Sequence, residues 1–150
     1  MRTYPDPMSL TRLTAMPGHL IRRAQQVSTA IFAEELADAE LTSVQLISLA
    51  AIAERPGLDA TTLAELIDFD KATIGGVLDR LERKGLVRRS VSPSDKRVKE
   101  LAATPAGRAL LAASMPAAEQ VQVRLLAPLS PAEREDFLRM LRLVTAASQD

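Results

Sequence analysis

The stretch RLERKGLVRRSVSPSDKR, residues 80–97, leaves few folds open. It begins with helix formers and stops at Gly85. Two β-type runs follow, 86–91 and 98–102, joined by the polar turn Ser-Pro-Ser-Asp-Lys-Arg. Upstream, Thr61 or Thr62 opens a short helix containing Leu63, Ala64, Leu66 and Ile67, and Asp68-Phe69-Asp70 makes a turn. Asp70 can cap a second helix from Lys71, with Ile74, Val77 or Leu78, and Leu81 on its inward side. Two helices across a short turn, followed directly by a hairpin, make a winged helix-turn-helix. The expected class is therefore mainly α.

The flanks are helical as well. Residues 1–16, with Pro5 and Pro7, read as irregular, and Pro17 can open a long helix. Apolar residues recur along it in two adjacent stripes, a wider buried face than a lone surface helix requires. Thr42 with Gln45 forms a capping box for a helix over 42–54, stopped by Arg-Pro-Gly at 55–57. Thr104-Pro105 restarts a helix that Pro116 should bend or interrupt. Ser130-Pro131-Ala132-Glu133 caps a closing helix with Phe137, Leu138, Leu141 and Val144 inward. One domain is expected, with a winged-helix lobe over about 42–103 and dimerisation helices over about 17–40 and 104–147. The flanking helices are too apolar for water, so a two-fold homodimer is expected.

The net charge of zero hides an asymmetry. Residues 71–99 hold nine bases and three acids, whereas 30–70 hold nine acids and only Arg55 as a base. A cationic face of this kind is the usual footprint of a phosphate-backbone partner; locally paired charges on a solvated helix are the plainer alternative.

A helix entering the major groove needs small or polar residues at its N-terminal end. Lys71, Ala72, Thr73, Gly75, Gly76 and Arg80 are all off the inward stripe. Adjacent helical glycines are costly, so Gly75-Gly76 requires a reason: close approach of DNA, or crowding by another helix. Lys96 and Arg97 at the hairpin tip suit phosphates and the minor groove. Asp95 is wrong for a phosphate contact and suits an ion pair that holds an arginine. Arg88 and Arg89 at the hairpin base suit backbone neutralisation. Arg83, Lys84 and Lys99 read as solubilising charges.

The run LDRLERKGLVRRSVSPSDKRVKELAATPAGRAL closely resembles the MarR family of bacterial transcription regulators. The matching phrases are Arg80-Leu81-Glu82, Lys84-Gly85-Leu86, Ser92 with Asp95 and Arg97, and Leu101 through Thr104 to Gly107; many members have the Leu and Thr closer together than Leu-Ala-Ala-Thr does. The resemblance implies a homodimer on a palindromic double-stranded DNA operator, usually a repressor released by a small molecule, with Arg97 as the wing arginine and Asp95 its salt-bridge partner.

The phrases PGHLIRRAQQ and FDKATIGGVLDRLE are similar to a subgroup governing breakdown of aromatic or N-heteroaromatic acids, most of all its nicotinate-pathway repressors. His19, Arg22, Arg23 and Gln26 lie near one another on one polar helix face, where they either are solvated or hold a carboxylate. The resemblance makes them carboxylate partners, with Gln45 and Phe69 as further lining, for a free acid or a CoA thioester.

Other classes fit less well. There is no cysteine and only one histidine, which argues against zinc and thiol chemistry. No G-x-S-x-G, P-loop or H-E-x-x-H motif suggests an enzyme, and no cofactor is expected. The chain shows no membrane span or apolar leader, so a cytoplasmic protein is expected. A winged helix that binds proteins instead of DNA is the competing reading, although it gives no reason for bases at both helix and wing.

Overall fold

The computed structural model describes residues 9–147, and Pro5 and Pro7 lie outside them. The described chain runs α1 (Leu10–Thr14), α2 (Pro17–Glu35), a single 3-10 turn (Ala37–Ala39), α3 (Ser43–Glu54), α4 (Ala60–Leu66), α5 (Lys71–Arg83), β1 (Val87–Val91), β2 (Lys99–Ala103), α6 (Pro105–Leu126) and α7 (Pro131–Ala146). The helix α1 corrects the irregular start: the Ser9 hydroxyl accepts the Arg12 N–H, so the chain enters a short turn of helix before Pro17.

The described chain divides into two compact units, Phe32–Ala118 and the pair of segments 9–31 and 119–147. The first is the winged helix. It reaches beyond 42–103 because Leu36 and Leu41 are buried before it, and the first turn of α6 seats on it after it.

Its core is aliphatic. Leu49 and Ile52 of α3, Leu63 of α4, and Ile74, Leu78 and Leu81 of α5 are fully buried, closed by Val87 and Leu101 of the hairpin. Burying each such side chain contributes about 1.5–3 kcal/mol. The strands pair antiparallel with Val87 opposite Ala103 and Arg89 opposite Leu101, which puts Arg89 on the same hairpin face as Val87 and Leu101. The loop after α3 also pairs with β2: Leu101 carbonyl accepts from Gly57 N–H (3.0 Å), and Leu101 N–H donates to the Leu58 carbonyl (2.8 Å).

Turn chemistry fixes the order of these pieces. The Thr42–Gln45 capping box starts α3 as expected. The cap of α4 is Asp59, not Thr61 or Thr62: its carboxylate accepts the Thr62 N–H at 2.7 Å. That charge-assisted bond holds the Asp59 carboxyl below the usual carboxylate range. Helix α5 ends on Gly85 at φ +72°, where Gly85 N–H donates to Glu82 carbonyl and Leu86 N–H to Leu81 carbonyl. This doubled return needs a left-handed residue, and glycine adopts it without a Cβ penalty.

Helix α6 is continuous through Pro116, against the expected interruption. Proline there removes the bond to the Ala112 carbonyl, but both residues lie on the exposed side, where water can solvate that carbonyl. In the second unit, Ser130 and Glu133 form the expected capping box for α7. The expected inward face of α7 is not covered within one chain: Phe137 is half-buried, and Leu138, Leu141 and Val144 are exposed. Leu20, Ile21 and Val27 of α2 are likewise exposed. No helix among the described residues is long and apolar enough to cross a membrane.

Candidate nucleic-acid interface

The start of α5 is built by Asp70. Its carboxylate accepts the Thr73 N–H (2.8 Å) and the Thr73 hydroxyl (2.6 Å). The hydroxyl bond, then the backbone bond, hold the Asp70 carboxyl below its ordinary range. The Thr73 hydroxyl therefore donates its hydrogen bond to the cap, and the exposed side chain retains an acceptor and a methyl group. Lys71, Ala72 and Arg80 are exposed, and Gly75 and Gly76 are half-exposed. A Cβ added at either glycine would meet nothing within 4 Å. Crowding by another helix of the same chain is thus not the reason for this pair.

At the wing tip, Arg97 grips Asp95 in a two-pronged pair, Nε to Oδ1 at 3.1 Å and Nη2 to Oδ2 at 3.2 Å. The Arg97 N–H also donates to Oδ1 at 3.0 Å, so the carboxylate organises both backbone and side chain. These bonds, the guanidinium's first, hold the Asp95 carboxyl below its usual value. The Arg97 side chain nevertheless remains 90% exposed, steered but uncovered. A group with a lowered folded-state pKa keeps its pair at all pH above the ordinary aspartate range and loses it only as pH falls through the lowered value. In a carboxyl NMR titration, Asp95 should titrate below an unpaired aspartate, and the wing should be unchanged between pH 8 and 5. An ordinary Asp95 midpoint would contradict the pair.

The two hairpin-base arginines differ. Arg88 is exposed, whereas Arg89 is turned inward and ion-paired to Asp79 and Glu82 of α5. The two arginines expected at backbone phosphates are therefore not placed alike. Strand parity is the signal that distinguishes them, since Val87 is buried and Arg89 shares its face. Lys84 was read as a solubilising charge; its ammonium instead donates to the carbonyl of Glu40, a left-handed residue at φ 52°. Lys96 and Lys99 are exposed. A recess between the start of α4 and the wing is lined by Asp59, Thr61, Arg89, Arg97 and Lys99.

The residues proposed for an effector are divided between the two units. His19, Arg22, Arg23 and Gln26 share one face of α2, and Arg23 donates to the Gln26 side-chain carbonyl at 2.6 Å. Gln45 and Phe69 belong to the winged-helix unit. Gln45 is only 4% exposed, and its side-chain oxygen accepts the Thr42 N–H, so its acceptor serves the cap of α3. Phe69 is partly exposed in the turn before α5. Among the described residues no group of three or more His, Asp or Glu side chains is arranged to hold a metal.

Comparison with known proteins identifies the same elements. The pattern of the MarR family matches residues 41–99. The HTH-type transcriptional repressor NicR of Pseudomonas putida is 36% identical over 130 residues, covering 87% of this chain and 82% of the relative. Among solved structures, BpsR of Bordetella bronchiseptica, whose DNA binding is regulated by 6-hydroxynicotinic acid, is 33% identical with a TM-score of 0.84, covering 93% of this chain and 98% of BpsR. The repressor CouR, solved on a 23-mer DNA duplex, is 30% identical with a TM-score of 0.82, covering 93% of this chain and 99% of CouR.

Proposed function

This chain belongs to the MarR family of transcriptional regulators, and from that premise we propose that it is a homodimeric repressor of a catabolic operon. It binds a palindromic operator and is released by a small aromatic or N-heteroaromatic acid of the 6-hydroxynicotinate type. The observation that carries the reading is the open glycine pair flanked by exposed Lys71, Ala72 and Arg80, with a steered, uncovered Arg97 at the wing tip. The first set suits a helix lying close to base edges; the second suits the adjacent minor groove. Lys96 and Arg88 add backbone contacts, and Thr73 offers a base edge its methyl group and an acceptor.

The exposed apolar residues of α2 and α7 support a second copy as their cover. The dimer places the two α5 helices about one helical turn apart, roughly 34 Å. An effector that binds another spacing better shifts the population away from the DNA-competent one. A differential affinity of a few kcal/mol is enough to weaken operator binding strongly. His19, Arg22, Arg23 and Gln26 of α2 supply cations and donors for the acid's carboxylate; no enzymatic step is assigned. The protein acts where the chromosome is, in the cytoplasm.

Gel shifts on a duplex selected by the protein itself test this reading. Binding should fall steeply with salt, because each neutralised phosphate releases counterions, and 6-hydroxynicotinate at millimolar concentration should release the duplex. No change with the acid rejects that effector. No binding of any duplex at low salt rejects the DNA reading and favours a protein-interaction module.

A further inference from the structure

The cluster of Arg89, Asp79 and Glu82 has a charge that does not fit a phosphate contact. Arg89 Nε donates to Glu82 Oε2 at 2.9 Å, and Nη2 donates to Asp79 Oδ1. One guanidinium with two carboxylates leaves the trio net negative. Arg89 is held firmly: the hydrogen bonds to Asp79 and then Glu82 raise its pKa further, and the Asp79 carboxyl is correspondingly lowered. Its side chain is 25% exposed, while Arg88, one residue away on the opposite strand face, is exposed. The two acids stand three residues apart on one side of α5, beyond Gly75-Gly76. The trio therefore ties the base of the wing to the C-terminal end of the recognition helix.

We propose that Arg89 is a positioning residue that sets the wing's angle to α5 through Asp79 and Glu82, and does not itself contact DNA. This rests on the DNA-binding reading above. Beyond the buried Val87–Leu101 packing, the pair fixes orientation: a planar guanidinium bonded to two carboxylates admits one wing angle. Arg97 at the far end of the wing reaches the minor groove only if that angle is kept.

Charge counting and positioning predict opposite results for one variant. Asp79→Asn/Glu82→Gln removes two negative charges per protomer from a DNA-facing helix. If Arg89 were a phosphate contact held back by these acids, the variant would bind DNA more tightly, with a steeper salt dependence. Positioning predicts the reverse, about tenfold weaker binding to the selected duplex despite the more positive protein. Arg89→Gln should weaken binding to a similar degree, leaving the slope of log affinity against log salt at the wild-type value. In both variants amide hydrogen exchange should rise in β1 and β2 before the core helices change. Tighter binding by Asp79→Asn/Glu82→Gln overturns the proposal, as does a salt slope reduced by about one per protomer in Arg89→Gln. Should Arg89→Gln fail to fold, the double acid variant decides alone. A wild-type chain that binds no duplex at low salt overturns the underlying reading, and is distinguished from these outcomes because it precedes any variant.

Discussion

Gly107→Ala is expected to be the most damaging single-methyl change in the winged-helix unit. A Cβ at residue 107 would lie 2.1 Å from the Leu86 carbonyl oxygen and 3.2 Å from Leu49 Cδ1. The obstruction is backbone, so no rotamer change relieves it. The same carbonyl accepts the Thr104 N–H at 3.0 Å, while the Thr104 hydroxyl donates to the Gly85 carbonyl and accepts the Gly107 N–H. Relief therefore means moving the first turn of α6 off the end of α5 and breaking this joint. Overpacking a well-filled site costs typically 1–3 kcal/mol, and occasionally more; a backbone clash with lost hydrogen bonds belongs at or above about 3 kcal/mol. At about 4–8 °C per kcal/mol for a unit of this size, the melting temperature should fall by more than about 10 °C. Gly18→Ala, where nothing lies within 4 Å, is the control and should not destabilise. A Gly107→Ala melt within about 2 °C of wild type would show that this seat is not tight.

Gly75→Ala/Gly76→Ala should move stability and function in opposite directions. Neither new methyl group meets protein atoms within 4 Å, so each alanine stabilises α5 by roughly 0.8–1 kcal/mol through helix propensity. Thermal melts should therefore rise. On the proposed DNA-binding reading the same methyl groups stand where the helix approaches base edges, and forcing the helix outward loosens every neighbouring contact. Affinity for the selected duplex should fall at least tenfold, a loss of about 1.4 kcal/mol. A variant both more stable and equally tight on DNA would show that the glycines serve something other than close approach.

Much of the fold was legible because its signals are local. Asp70 before Lys71, Thr42 with Gln45, Ser130 with Glu133, and Gly85 after a helical run each depend on residues within one turn. The buried stripe of α5 follows from helical spacing alone, and all its named residues are buried. What escaped the sequence depends on tertiary placement. Strand parity separates Arg89, which shares the face of buried Val87, from Arg88, but the ion pairs of Arg89 to Asp79 and Glu82 depend on how the hairpin packs on α5. Lys84 reaches a carbonyl 44 residues away, which no local pattern specifies. Pro116 does not interrupt α6, because a helix tolerates proline where the freed carbonyl faces water. The apolar residues of α2 and α7 are exposed in a single chain, so the partner expected to cover them is not decided by the fold of one chain.

In the proposed complex, two protomers lay residues 71–80 in successive major grooves while each Arg97 enters the flanking minor groove. Footprinting on the selected duplex tests it most directly, with guanine N7 methylation reporting the major groove and hydroxyl radicals the minor groove. The predicted result is two N7-protected patches about one helical turn apart, flanked by minor-groove protections that vanish in Arg97→Ala while the N7 patches persist. A single protected patch, or flanking protections indifferent to Arg97, would contradict it.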